Sequence, residues 1–251
     1  MELTILGSGS AIPVADRNPA AYLLDVEGET ILIDSGTGAC RQIAKAGREL
    51  KEINKVFYSH FHIDHIGELP SLLFAIKNSD FEATNTSLKI YAHKNFKKFI
   101  DNYSELYGDW IKNPDYPYEF HPLVKPKIEF NSFTLFTFPA NHNPESLIFR
   151  FETKDGKSLV YTGDTDFCQE LINAAQDTDL LLTECSFPDS YEVKGHMSPK
   201  KVKQVIELAQ PKQTLLTHLY PQNDNSSLIE RVGCADEHKL SVAKDLDIIK
   251  I

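Results

Sequence analysis

Nothing in the 251 residues approaches a run of about 18 apolar positions, so no segment reads as a helix able to cross a bilayer, and no membrane partner is expected. Cysteine is sparse: Cys40, Cys168, Cys185 and Cys234 are scattered without a C-x-x-C pair. No basic-then-apolar leader precedes the opening strand Leu3-Thr4-Ile5-Leu6. Both features predict a reducing, cytoplasmic location. The glycine loop Leu6-Gly7-Ser8-Gly9-Ser10-Ala11-Ile12-Pro13 lacks a G-K-[ST] ending, which argues against a nucleotide P-loop. Basic residues are outnumbered, 26 Lys plus Arg against 36 Asp plus Glu, and the net charge of −10 disfavours a large polyanion as partner. No Ser/Gly-rich linker or low-complexity segment divides the chain, and 41% hydrophobic content suffices for a substantial core. One domain over residues 1–251 is expected.

What the chain does have is a dense polar cluster, His60-Phe61-His62-Ile63-Asp64-His65, of the form H-x-H-x-D-H. Neutral imidazole nitrogen and carboxylate oxygen are ordinary zinc ligands. His60 and His62, two apart, face one way from extended backbone, and Asp64 and His65 another, which allows two neighbouring ions. On a helix His60 and Asp64 would share a face without His62, so the spacing fits a loop. Ile53 to Ser59 reads as the strand that delivers the cluster, and Leu69, Leu72, Leu73 and Ile76 repeat at helical spacing after it. Further along, His142 follows the apolar run Phe133 to Phe138, Asp164 follows Leu159 to Gly163, and His218 follows Thr214 to Thr217. Each stands at the end of a predicted strand, where α/β sheets gather their sites.

In this order and spacing the motifs resemble those of the metallo-β-lactamase superfamily of metal-dependent hydrolases, over almost the whole chain. The resemblance implies an α/β fold, an αββα sandwich of two mixed sheets face to face with helices outside; the second half is expected to begin near Ser132. It implies two divalent metal ions, zinc with manganese or iron as other occupants. His60, His62 and His142 would hold one ion, Asp64, His65 and His218 the second, and Asp164 would bridge them. A hydroxide between the two ions would be the nucleophile, with Asp64 among the catalytic groups. Asp34, in Thr30-Ile31-Leu32-Ile33-Asp34, and Glu68 are candidates for orienting ligating imidazoles. With such a nucleophile, Cys185 is expected only to pack.

Leu181-Leu182-Thr183-Glu184-Cys185-Ser186, followed by Gly195-His196-Met197-Ser198-Pro199, is similar to the paired glutamate and histidine of the ribonuclease Z-like phosphodiesterases. Arg17-Asn18 after the glycine loop also resembles that branch. There the histidine approaches the scissile phosphate and the glutamate orients it, so His196 and Glu184 are catalytic candidates. Ser198 and Pro199 are predicted to start a helix with Val202, Val205, Ile206 and Ala209 as its apolar stripe. Ribonuclease Z carries a transfer-RNA-gripping arm between its third histidine and bridging aspartate. Here only 22 positions separate His142 from Asp164, filled by strands from Ser146 to Glu152 and Lys157 to Thr162 around the turn Thr153-Lys154-Asp155-Gly156.

The expected substrate is therefore a small or cyclic nucleotide-type phosphodiester or short RNA, without a stable transfer RNA complex. Lys200, Lys201 and Lys203 are candidates to assist an anion, whereas Lys94, Lys97 and Lys98 read as a solvated helix face. A loop around Trp110 reads equally as a lid or as a surface excursion. A homodimer is compatible with the chain. Two alternatives stand beside this reading: a thioester or lactone hydrolase of the glyoxalase II type, which has no need of Glu184 and His196, and a non-catalytic metal-binding regulatory protein.

Overall fold

The computed structural model describes residues 1–78, 87–108, 118–191, 193–234 and 239–251. The Trp110 loop lies outside them. The first sheet takes β1 (Glu2–Gly7), β2 (Ala21–Val26), β3 (Glu29–Ser35), β4 (Ile53–Phe57), β5 (Leu88–Ala92), β6 (Tyr118–Pro122) and β14 (Ile248–Lys250), in the order β14-β1-β2-β3-β4-β5-β6. The second takes β7 (Lys127–Glu129), β8 (Thr134–Pro139), β9 (Leu147–Glu152), β10 (Ser158–Tyr161), β11 (Leu180–Glu184), β12 (Thr214–Thr217) and β13 (Leu240–Val242), in the order β13-β12-β11-β10-β9-β8-β7. Both sheets are mixed: β3-β4-β5-β6 and β10-β11-β12-β13 run parallel, and the remaining pairs antiparallel.

Period-two alternation explains the layers. Ile31 and Ile33 of β3 join Leu180 and Leu182 of β11 between the sheets, while Leu32 and Leu181 turn outward beneath helices. Strands covered on both faces read as unbroken apolar runs, which is how Ile31 to Ile33 and Leu180 to Leu182 are composed. Helices α1 (Ala39–Lys45), α3 (Leu69–Asn78) and α4 (Phe96–Tyr107) cover the first sheet; α5 (Gln169–Ala175), α6 (Pro199–Ala209) and α7 (Leu228–Val232) cover the second. The result is the expected αββα sandwich. Phe57 centres the inner layer, stacked on Tyr91 at 4.7 Å and meeting Phe133, Phe149 and Phe151 edge-on. Truncating such a ring to alanine costs about 3–5 kcal/mol.

The start of the second half moves relative to the sequence reading. Ser132 lies in the hairpin between β7 and β8, because Lys127 to Glu129 already pair with Thr134 to Phe136. Strands β9 and β10 form the short antiparallel hairpin expected between His142 and Asp164. Ser198 occupies the position before α6 with extended backbone, yet its side chain makes no capping hydrogen bond. Pro199 at the first position and the stripe Val202, Val205, Ile206 and Ala209 fix that helix instead.

Candidate metal centre

The C-terminal ends of β3, β4, β8, β10, β11 and β12 lie at one end of the sandwich and deliver Asp34, the His60 cluster, His142, Asp164, Glu184 and His218 respectively. The H-x-H-x-D-H run is only partly a loop. His60 lies outside any helix and His62 is extended, whereas Asp64 and His65 sit on a single helical turn, α2 (Ile63–Ile66), which turns them away from the first pair. Gly36 makes this turn possible, since a Cβ there would stand 2.2 Å from the Asp64 carbonyl oxygen. Asp34 and His218 hold left-handed backbone, φ 52° and 53°, a conformation costing a non-glycine residue roughly 1–2 kcal/mol. Such outliers cluster where geometry serves a site.

Seven of the sequence candidates converge. Donor atoms of His60, His62, His142 and Asp164 lie within 4.8 Å of one another, and so do those of Asp64, His65 and His218. Asp164 stands between the groups. Its Oδ2 is 3.6 Å from His60 Nε2 and 3.8 Å from His142 Nε2; its Oδ1 is 3.2 Å from His65 Nε2 and 3.4 Å from His218 Nε2. Asp64 Oδ2 is 3.2 Å from His218 Nε2.

Each imidazole is held by one nitrogen and offers the other inward. His65 Nδ1 donates to Asp34 Oδ2 at 2.8 Å. His60 Nδ1 meets Ser59 Oγ at 3.1 Å, and that hydroxyl donates to Asp34 Oδ2 at 2.7 Å. His218 Nδ1 meets Ser186 Oγ at 2.9 Å, and Ser186 donates to Glu184 Oε2. His142 Nδ1 donates to the Gly195 carbonyl at 2.9 Å. His62 is reversed: the Asn143 amide holds Nε2 at 2.9 Å, leaving Nδ1 3.2 Å from His142 Nε2. Inside this ring His60 Nε2, His65 Nε2 and Asp164 Oδ1 are buried without a hydrogen-bond partner, an arrangement unfavourable for polar atoms and suited to a cation. The donor set of nitrogen and carboxylate oxygen matches zinc, manganese or iron.

Local charge sorts the groups. Burial and neighbouring imidazoles hold His60 well below the usual histidine range, leaving its lone pair free. Burial opposes charge on His65 too, but Asp164 and Asp34 on either side hold it well above. His196 lies beside the cluster with Nδ1 3.2 Å from both Glu184 oxygens. Burial works against its charge, yet the Glu184 carboxylate prevails and pushes the imidazole up to about 9. Glu184 is fully buried and held by the backbone N–H of Thr165 at 2.7 Å and of Met197 at 3.1 Å. His196 Nδ1 is also 4.0 Å from Asp164 Oδ2, but Glu184 occupies that nitrogen. Gly195, at φ 82°, has room for no side chain, because a Cβ would meet His142 Nδ1 at 2.7 Å.

Other candidates go elsewhere. Glu68 accepts the Gly38 N–H at 2.7 Å ahead of α1 and orients no imidazole among the described residues. Asp34 does orient one. Lys201 is bound to Asp166 and to the His196 carbonyl, and Lys203 faces Glu207. Lys201 therefore braces the His196 loop from behind. Lys97 pairs with Asp101 on the outer face of α4. Arg17 clasps Asp224, Ser8 and the Ala243 carbonyl, and Asn18 N–H donates to Asp245, so the glycine loop is a clasp between distant segments. Cys185 is buried; desolvation, then Glu184 beside it, push its thiol far up. Ser59, Ser186 and Tyr161, which complete the hydrogen-bond ring, carried no sequence signal beyond two serines adjacent to candidate segments. No helix among the described residues is long and apolar enough to cross a membrane.

Solved structures share the fold: the short form of human tRNase Z (24% identity, 100% of this chain and 99% of that one, TM-score 0.79) and the metallo-β-lactamase fold protein YhfI from Bacillus subtilis (22%, 99% and 98%, TM-score 0.82). A diphosphatase of the PhnP family follows at 20% identity and TM-score 0.76, over 100% of this chain and 97% of that one. In sequence, ribonuclease Z of Thermococcus sibiricus is 25% identical across 100% of this chain and 96% of its own length. That of Bacillus cereus is 26% identical across 87% and 88%. Together with the site these place the chain among the ribonuclease Z-like, metal-dependent hydrolases of the metallo-β-lactamase superfamily. Within that class, the family model described as Anti-Pycsar protein Apyc1 matches residues 1–236, and the chain belongs to that family.

Proposed function

We propose that the protein is a dinuclear metal-dependent phosphodiesterase acting on small or cyclic nucleotide-type phosphodiesters or short RNA. The observation that carries this reading is the division of Asp164, one oxygen toward His60 and His142 and the other toward His65 and His218. His60, His62 and His142 would hold one ion, Asp64, His65 and His218 the other, and Asp164 both. Zinc, or manganese or iron in its place, held by these residues would lower the pKa of a water molecule and neutralise charge on the attacked phosphate. The chain's own residues do the rest. With Nδ1 committed to Glu184, His196 carries its transferable proton at Nε2 and gives it to the leaving oxygen as the P–O bond breaks, worth about 10²–10⁴ in rate. Asp64, 3.2 Å from His218 Nε2, fixes the second group against the bridge.

The Glu184–His196 pair favours this reading over a thioester hydrolase, whose thiolate leaving group needs no such acid, over a lactone hydrolase of the glyoxalase II type, which has no need of the pair, and over a non-catalytic metal protein. The absent arm and the net charge of −10 support small substrates over transfer RNA, although the named relatives are ribonucleases Z. Four free cysteines are in keeping with a cytoplasmic location. Elemental analysis joined to a panel of chromogenic phosphodiesters, monoesters and thioesters tests the proposal. Two equivalents of metal and preference for diesters are expected; thioester preference, or one equivalent at full activity, overturns it.

A further inference from the structure

Asp166 and Lys201 form an ion pair that neither the metal ligands nor the apolar core requires. Asp166 lies two residues past the shared Asp164, in the segment after β10, and Lys201 stands in the first turn of α6. That turn contains no acidic residue, and a cation at a helix N-terminus opposes the helix dipole. A side chain set against its local preference points to a tertiary contact that holds it there. Here the contact is with the backbone of Gly195 and His196.

The pair grips that backbone on both sides of the candidate acid. Gly195 N–H donates to Asp166 Oδ2 at 3.3 Å, and Lys201 Nζ donates to the His196 carbonyl at 3.1 Å. Asp166 is itself anchored: its Oδ1 accepts Lys201 Nζ and the Phe167 N–H, and its own N–H donates to the Asn141 carbonyl at 2.9 Å. The Gly195 carbonyl, between the two grips, takes His142 Nδ1 at 2.9 Å. Gly195 has φ 82°, and glycine by itself does not hold a backbone in one conformation. An ion pair at a surface contributes little. This one differs because Asp166 is only 19% exposed and each partner also satisfies a peptide group of the loop.

We infer that Asp166 and Lys201 are positioning residues for His196: they fix the Gly195–His196 backbone so that the imidazole presents Nε2 to the leaving oxygen. This rests on the phosphodiesterase reading and adds two residues that act through the acid and not through the metals. Glu184 holds the ring, and the ion pair holds the chain from which the ring is hung. A misplacement of about an ångström in such a group costs up to about 10²-fold in rate.

The test compares the wild type with Lys201→Met, Asp166→Asn and the double variant, all at saturating metal. Lys201 is 32% exposed and methionine keeps most of its stem, so that variant opens no cavity; a thermal midpoint close to wild type shows that it is folded. The ratio of alkyl-leaving-group to nitrophenyl-leaving-group phosphodiester turnover should fall about 10–100-fold in either single variant, because only the first class needs the proton. The double variant should lose no more than the singles, since the two residues act as one unit. Exchange of the Gly195 and Met197 amides, followed by NMR, should quicken about tenfold or more in Lys201→Met. An unchanged leaving-group ratio, an equal loss on both ester classes, or unaltered exchange of these amides overturns the inference. If the wild type hydrolyses no phosphodiester, the underlying reading falls, and the exchange, which requires no turnover, still decides whether the pair holds this backbone.

Discussion

Tyr161 on β10 of the second sheet donates its hydroxyl to Asp34 Oδ2 on β3 of the first, 2.7 Å across the interior of the sandwich. The same carboxylate takes Ser59 N–H and Oγ–H at 2.7 Å each and His65 Nδ1 at 2.8 Å. One buried aspartate therefore ties together two sheets and two histidines of different groups, His65 directly and His60 through Ser59. Tyr161→Phe should lower stability by about 1–2 kcal/mol through an under-satisfied acceptor, read from denaturant midpoints. Metal affinity should fall about 10–100-fold, measured by competition with a chelating dye. Wild-type affinity in this variant would show that Asp34 orients the imidazoles without help from the second sheet.

Removing the shared carboxylate should act on both groups together. Asp164→Ala is expected to bind fewer than two equivalents of metal after dialysis and to lose most phosphodiesterase activity. Two tightly held equivalents in that variant would deny it the bridging place.

His196→Ala should keep both metals and the fold but lower turnover of alkyl-leaving-group phosphodiesters by about 10²–10⁴. The loss should shrink for nitrophenyl esters, whose leaving group needs no proton. Metal loss would make His196 a ligand, and unchanged alkyl turnover would remove the acid role.

Thiol chemistry gives a pH-signed expectation. Burial, then Glu68, push Cys40 up to about 12, and burial, then Glu184, raise Cys185 further. A raised thiol remains protonated, and unreactive, until pH nears its shifted value. In the native protein at pH 8, iodoacetamide should leave Cys40 and Cys185 unlabelled by peptide mass mapping, and urea should expose both. Rapid native labelling of Cys185 would contradict its placement behind Glu184.

Purified protein should cleave precursor transfer RNA poorly at physiological salt, because only the short β9–β10 hairpin stands where an arm would be inserted and the chain is acidic. Rapid, specific end maturation by the protein alone would refute this expectation.

The parts of the site that were legible from sequence are those written locally. Four candidates occupy six positions, and that density marked them; His142, Asp164 and His218 each follow a predicted strand, but it was their order, resembling the metallo-β-lactamase superfamily's, that singled them out. What escaped was relational. Ser59 and Ser186 acquire their relay roles only once Asp34 and Glu184 are folded against them, and Tyr161 reads as an ordinary inward strand residue until Asp34 arrives from 127 positions away. Glu68 was misplaced for the converse reason. An acid near a histidine cluster suggests an orienting partner, but the nearer donor was the unpaired N–H of Gly38. The hairpin at Ser132 was missed because β7 is three residues long, too short to show alternation.

The pairing of β1 with β14 reaches into the timing of synthesis. Glu2 is registered against Lys250 and Leu3 against Ile249, so one side of β1 has no native neighbour until β14, which begins 241 positions after β1 ends (248 − 7), has been made. At translation rates of about 5–20 residues per second that is roughly 10 to 50 seconds on the ribosome. A meander of β1, β2 and β3 formed in this interval would carry an open, apolar margin at Leu3 and Ile5, a template for another strand. Aggregation during expression should therefore be governed by this margin more than by the metal site, and co-translational chaperones acting on the first 40 residues would decide the yield.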